Sequence, residues 1–130
     1  MQRVFDFLRE AGTYYLATDD GGQPRVRPFG TVDIFEGGLY FQTGLSKNVA
    51  KELLANPSFE ICAMAGGRWI RLSGKAVLDD RREARVHMLE EYPSLKGMYD
   101  PDDGNTAVFR IEDAKASICS FTEPPVVITF

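Results

Sequence analysis

Apolar positions in this chain switch between helical and alternating spacing, and the switches mark out the elements. Residues 2–11 put Val4, Phe5, Leu8 and Ala11 on one side of a helix, with Gly12 as its stop. Residues 13–18 (TYYLAT) are rich in β-formers, and Asp19-Asp20-Gly21-Gly22 follows as a turn. Residues 25–35 read as the next strand, Glu36-Gly37-Gly38 as a turn, and residues 39–42 as a strand running into a second helix. That helix starts at Ser46, repeats Val49, Ala50, Leu53 and Leu54 at helical spacing, and closes at Asn56-Pro57. Residues 59–65, a Gly66-Gly67 turn and residues 68–78 repeat the motif of strand, tight turn and strand. Residues 79–91 read as a helix opened by acids, residues 94–105 as a loop, and residues 106–111 and 115–121 as closing strands. Six or seven antiparallel strands with few helices predict a mainly β, α+β fold: a small split β-barrel with helices at its periphery.

Alternation within two strands separates a core face from a second face that carries chemistry. In residues 25–35 the expected interior face is Val26, Pro28, Val32 and Ile34, leaving Arg25, Arg27, Phe29 and Thr31 outward. In residues 68–78 the interior face is Ile70, Leu72, Ala76 and Leu78, and the outward face is Trp69, Arg71, Ser73 and Lys75. Water gives no reason to expose Phe29 and Trp69, whereas a partner subunit or a flat ligand does. Pro28 removes a ladder donor, so its strand is expected at a sheet edge or a bulge.

The start of the second helix is the other candidate site. Ser46 is the expected N-cap, and Thr43, Gly44, Ser46, Lys47 and Asn48 gather hydroxyls, a cation and an amide there. Free backbone N–H groups and the helix dipole favour an anion at such a place, and a phosphate suits it.

Length and charge narrow the reading. The 130 residues, 44% of them hydrophobic, fit one domain with one core, spanning 1–130. A net charge of -4 argues against nucleic acid or an anionic membrane as the main partner. No apolar run approaches the ~20 residues of a bilayer span, and the first residues lack a signal-peptide block, so a cytoplasmic protein is expected. Cys62 and Cys119 lie in apolar strands and are expected as free buried thiols. His87 is the sole histidine, expected on a solvated helix face, and no metal site is expected. Neither a dinucleotide-binding G-x-G-x-x-G loop nor a Walker loop is present, so any nicotinamide donor is expected to bind transiently.

Three blocks, residues 22–30 (GQPRVRPFG), 39–48 (LYFQTGLSKN) and 68–76 (RWIRLSGKA), in that order, resemble the pyridoxamine 5′-phosphate oxidase-like family of FMN-binding split barrels. The resemblance spans nearly the whole chain. It implies a homodimer with FMN in a cleft between protomers. Arg27, Pro28 and Phe29 would flank the isoalloxazine, and Gln42 and Thr43 would meet the ring and ribityl chain. Ser46 and Lys47 match the phosphate-binding positions, while Asn48 departs from the lysine often found there. Trp69 stands where several members carry glutamine and would reach the other protomer's flavin, with Arg71 beside it. The tail (FTEPPVVITF) lacks the arginines of a vitamin B6 oxidase, so the resemblance favours the short, nitroimidazole-reductase-like branch. It implies an oxidoreductase acting on a small aromatic or heterocyclic compound, or else a flavin-binding electron-transfer or redox-sensing module. Cationic Arg27 or Arg71 would then favour the reduced flavin. No catalytic acid or base is evident.

Overall fold

The computed structural model describes residues 1–130. Helix α1 (Gln2–Ala11) ends at Gly12, whose φ of 76° is the left-handed stop that its glycine allows. Its buried residues are Val4, Phe7 and Leu8. There follow β1 (Tyr14–Asp20), β2 (Gln23–Phe29), β3 (Asp33–Phe35), β4 (Gly38–Gly44), α2 (Asn48–Ala55), β5 (Ser58–Ala65) and β6 (Arg68–Leu78). The chain closes with α3 (Arg82–Glu91), a short 3-10 turn (Pro93–Gly97), β7 (Thr106–Cys119) and β8 (Val126–Thr129). No helix is long and apolar enough to cross a membrane.

The strands form one antiparallel sheet in the order β2-β1-β5-β6-β7-β4-β3, with β8 paired to β7. Its two outermost strands, β2 and β3, are separated by only three residues of chain, Gly30 to Val32. So short a link forces the sheet to curl until its edges approach, which is the geometry of a split barrel. Three hydroxyl bonds hold the link: Tyr14 donates to the Thr31 carbonyl at 2.6 Å, and Tyr92 both accepts from the Val32 N–H and donates to its carbonyl at 3.0 Å.

Inside the curl lies one apolar cluster containing Leu16, Phe41, Ile61, Ile70, Leu72 and Phe109. A smaller cluster of Tyr40, Ala84, Met88 and Val108 packs α3 against the outside of β4 and β7.

The fold is the expected mainly β class, with eight strands. Residues 25–35 divide into β2 and β3, residues 106–121 merge into the single β7, and the tail supplies β8. Pro28 lies on an edge strand, as its missing donor requires. The two faces of β2 are the reverse of the expectation. Val26 is 68% exposed, whereas Phe29 packs edge-on against Phe41 with ring centroids 5.6 Å apart. Arg27 turns inward too, because a buried acid on α2 awaits it. On β6 the interior is Ile70, Leu72 and Ala76, as alternation indicated.

Three smaller expectations also fail. Leu54 is 55% exposed and Glu52 takes a buried position instead. The thiols are free, but Cys62 is exposed and Cys119 half-buried, because Ile61, Ala63 and Ile118 claim the interior of their strands. His87 is no solvated residue: its Nδ1 lies 2.6 Å from Oδ2 of buried Asp33, tying α3 to β3. Burial pushes the Asp33 carboxyl up, and the His87 bond opposes that shift.

A cleft at the split of the barrel

A cavity of about 270 Å³ opens where β2, the β2–β3 link, the end of β4 and the start of α2 meet. Six of the expected ligand residues line it: Arg27, Pro28, Phe29, Gln42, Thr43 and Lys47. Leu95, Met98 and Tyr99, from the 3-10 turn and the loop after it, close the remaining side. These three fall in the stretch read only as a loop. Nothing in a loop's composition says which wall it will cover.

Gln42 is the most informative of the lining residues. Its backbone N–H donates to the Thr31 hydroxyl at 3.0 Å, which ties β4 to the link. Its side chain is a different matter. Gln42 is 5% exposed, and neither its amide nitrogen nor its amide oxygen has a hydrogen-bond partner. Leaving a buried polar group unpaired costs about 1–3 kcal/mol. Such an orphan at a cavity wall is a donor and acceptor held ready for a ligand.

Arg27 is fully engaged by its own chain on one side. Its Nη1 donates to the Leu16 carbonyl at 3.1 Å and to the Thr18 hydroxyl at 2.8 Å, and its Nη2 to Glu52 Oε1 at 2.7 Å. The Thr18 hydroxyl donates to the same carboxylate oxygen at 2.6 Å. Glu52 is 9% exposed and the Arg27 side chain 22%, so the pair is a half-sunk ion pair. It leaves Arg27 with little free charge to offer. Arg71 is similarly matched, donating from Nε and Nη2 to Glu60 at 3.0 and 2.8 Å. The expectation that bare cations line the cleft therefore passes to Lys47, which forms no salt bridge and opens into the cavity.

The start of α2 is two residues later than expected. Lys47 is the N-cap position, and no side chain caps the helix. Ser46 belongs to the preceding turn, where its N–H donates to Asn105 Oδ1 at 2.9 Å. The Asn105 carbonyl also accepts from the Leu45 N–H at 2.7 Å. Asn105 thus fixes the turn from the far end of the chain, a role no local pattern reveals. Asn48 opens instead into a second cleft of about 850 Å³. That cleft runs between the β1–β2 hairpin and α2, and it shares Arg27, Lys47 and Val49 with the first.

Trp69 and Arg71 stand apart from both spaces. They occupy the outward face of β6, where the Trp69 ring lies 5.0 Å from that of Phe121. Tyr15 and Met64 expose apolar surface on that side of the neighbouring strands, opposite Cys62 and Trp69 respectively in the one or the next register.

A curled antiparallel sheet with a cleft at its split defines the chain as a split barrel of the kind seen in General Stress Protein 26 from Bacillus anthracis. That structure superposes with a TM-score of 0.76 at 16% identity, covering 99% of this chain and 97% of that one. The family follows from two further likenesses. The family model for pyridoxamine 5′-phosphate oxidase matches residues 1–118. A NimC/NimA family protein from Clostridium acetobutylicum is 45% identical over 100% of this chain and 93% of its own, with a TM-score of 0.96. The chain belongs to the pyridoxamine 5′-phosphate oxidase-like family. A heme binding protein from Mycobacterium smegmatis shares the fold at 17% identity and a TM-score of 0.72, covering 95% of this chain and 55% of that one. No curated protein matches the chain.

Proposed function

We propose that residues 1–130 form one FMN-binding split-barrel domain that works as a cytoplasmic homodimeric oxidoreductase on a small aromatic or heterocyclic compound. The observation that carries this reading is the buried Gln42 amide, unpaired at the wall of a cavity whose rim holds the unmatched Lys47. The pyrimidine edge of a flavin presents amide-like donors and acceptors, the complement of a free carboxamide. A phosphate on the ribityl chain complements the lysine at a helix start. Bound FMN would supply the hydride or electron transfer.

The protein's part is to hold and shield that group. Gln42 would orient the ring edge, Phe29 and Pro28 would flank it, and Thr43 would face the ribityl chain. Lys47, with Asn48 behind it, would anchor the phosphate, and Ser46 would shape the turn that carries them. The Arg27–Glu52 pair leaves this pocket nearly neutral apart from Lys47, which favours a ligand carrying one compact anionic group. A second copy docked on the outward face of β5, β6 and β7 would bring its Trp69 and Arg71 toward the flavin. Any nicotinamide donor would use the same opening.

Haem is the less favoured ligand, because the one histidine is bonded to Asp33 beside α3 and does not line the cleft. A flavin-carrying module without turnover is the second reading, favoured by the absence of any acid or base among the residues that line the ring cavity, apart from the lysine and the paired Arg27.

An absorbance spectrum of freshly purified protein and a fluorescence titration with FMN test the proposal. FMN should bind and raise the melting temperature. Lys47→Ala should weaken binding by about 1.5–3 kcal/mol, roughly ten- to hundredfold, through loss of a charge-assisted bond. A protein that gains no thermal stability from added FMN refutes it.

A further inference from the structure

The larger of the two clefts has no part in holding a flavin mononucleotide beyond the residues it shares with the smaller one. It follows the flank of α2 from Lys47 to Asn56, with the tip of the β1–β2 hairpin as its opposite wall. At 1.5 Å per residue that flank is about 13 Å long.

Its chemistry is graded along this length. At the near end are Lys47 and, one helical turn on, Lys51, neither of which forms a salt bridge. The other two cations are already matched, Arg27 by Glu52 at 2.7 Å and Arg25 by Asp20 at 3.2 Å. Far along, the groups are acceptors. Asp19 takes the Gly22 N–H at 2.6 Å and lies 3.4 Å from the Asn56 amide, while Asp20 uses only one oxygen on Arg25. Each carboxylate keeps lone pairs for hydroxyl or amino donors. A ligand that fits this order has a second phosphate next to the first, then a hydroxyl-rich and amine-bearing end about a helix length away. A nucleotide has that layout.

We infer that the cleft between α2 and the β1–β2 hairpin is a second ligand subsite that takes the adenylate portion of a flavin dinucleotide. Its distal phosphate rests on Lys51, and its ribose and adenine face Asp19 and Asp20. This rests on the flavin reading of the smaller cavity and extends it, for it makes FAD a better ligand than FMN.

The test is a pair of titrations, FMN and FAD, on the wild-type protein and on Lys51→Ala, with ADP alone as a third probe. Lys51 is exposed on a helix, so its truncation leaves the core untouched. FAD should bind the wild type about tenfold more tightly than FMN. Lys51→Ala should remove most of that advantage and change FMN affinity less than threefold. ADP at millimolar concentration should displace FAD down to the FMN level. Equal or weaker binding of FAD than of FMN overturns the inference, as does a Lys51→Ala variant that weakens both flavins alike. If neither flavin binds, the flavin reading is what fails. ADP binding that depends on Lys51 would then still uphold the subsite, and its absence would overturn that as well.

Discussion

Removing Glu52 strands a guanidinium in the wall of the barrel. Arg27 gives three of its hydrogen bonds to its own chain, and the 2.7 Å contact with Glu52 Oε1 is the only one that compensates its charge. Breaking a buried ion pair by deleting one partner costs about 3–5 kcal/mol. Here the arginine is 22% exposed and keeps the Leu16 and Thr18 acceptors, so the lower end applies. Glu52→Ala is therefore expected to lose about 3 kcal/mol of stability, a large part of a typical 5–15 kcal/mol total. Replacing both residues with apolar ones of similar size, Arg27→Met with Glu52→Leu, should recover most of it, since neither charge is then left unpaired. Urea unfolding of the wild type, both single variants and the double variant measures the coupling directly. A coupling below about 0.5 kcal/mol, the size of an exposed pair, would refute the claim that this pair is structural.

Gln42→Leu should stabilise the ligand-free protein by about 1–3 kcal/mol in a thermal melt, because it removes two unpaired buried atoms, while FMN binding is lost. Gly74→Ala should destabilise by about 1–3 kcal/mol in urea: its Cβ would stand 2.7 Å from the Glu112 carbonyl oxygen and 3.4 Å from Phe59, at the bulge between Ser73 and Lys75. The Asp79 carboxyl, bonded by the Arg81 guanidinium, is held at about 2, below its ordinary 3.8. A depressed carboxylate stabilises the fold above its unfolded value, and the contribution disappears as pH falls from about 4 to 2. With Arg81 half exposed, its size is on the order of 1 kcal/mol, and an acid titration of Asp79→Asn should show a correspondingly smaller loss over that interval.

Local pattern reached some of this molecule and could not reach the rest. Helix α1 with its Gly12 stop, the interior face of β6 and the edge position of Pro28 all depend on spacing or backbone chemistry within a few residues. The faces of β2 do not. Alternation says that Val26 and Pro28 share a side opposite Arg27 and Phe29, but which side is interior depends on Glu52, 25 residues further on. Glu52 in turn reads as the polar flank of a helix until Arg27 and Thr18 are placed beside it. The same holds for His87, whose partner Asp33 is 54 residues away. Of the cleft, the residues on β2, β4 and the α2 turn were legible as a set. Leu95, Met98, Tyr99 and the tie from Asn105 were not, because loops carry no periodicity. Trp69 and Arg71 were placed with the flavin by family likeness, and one chain alone does not bring them there.

Strand β7 has a consequence for synthesis. Residues 106–119 pair with β4 on one side and with β6 and β8 on the other. While the chain leaves the ribosome, β4 and β6 each emerge with an open edge facing the place β7 will fill. At about 5–20 residues per second, those edges stay bare for several seconds. A nascent chain in this condition is a template for pairing with its neighbours. Its yield in the cell should depend on holding chaperones more than the stability of the finished barrel suggests.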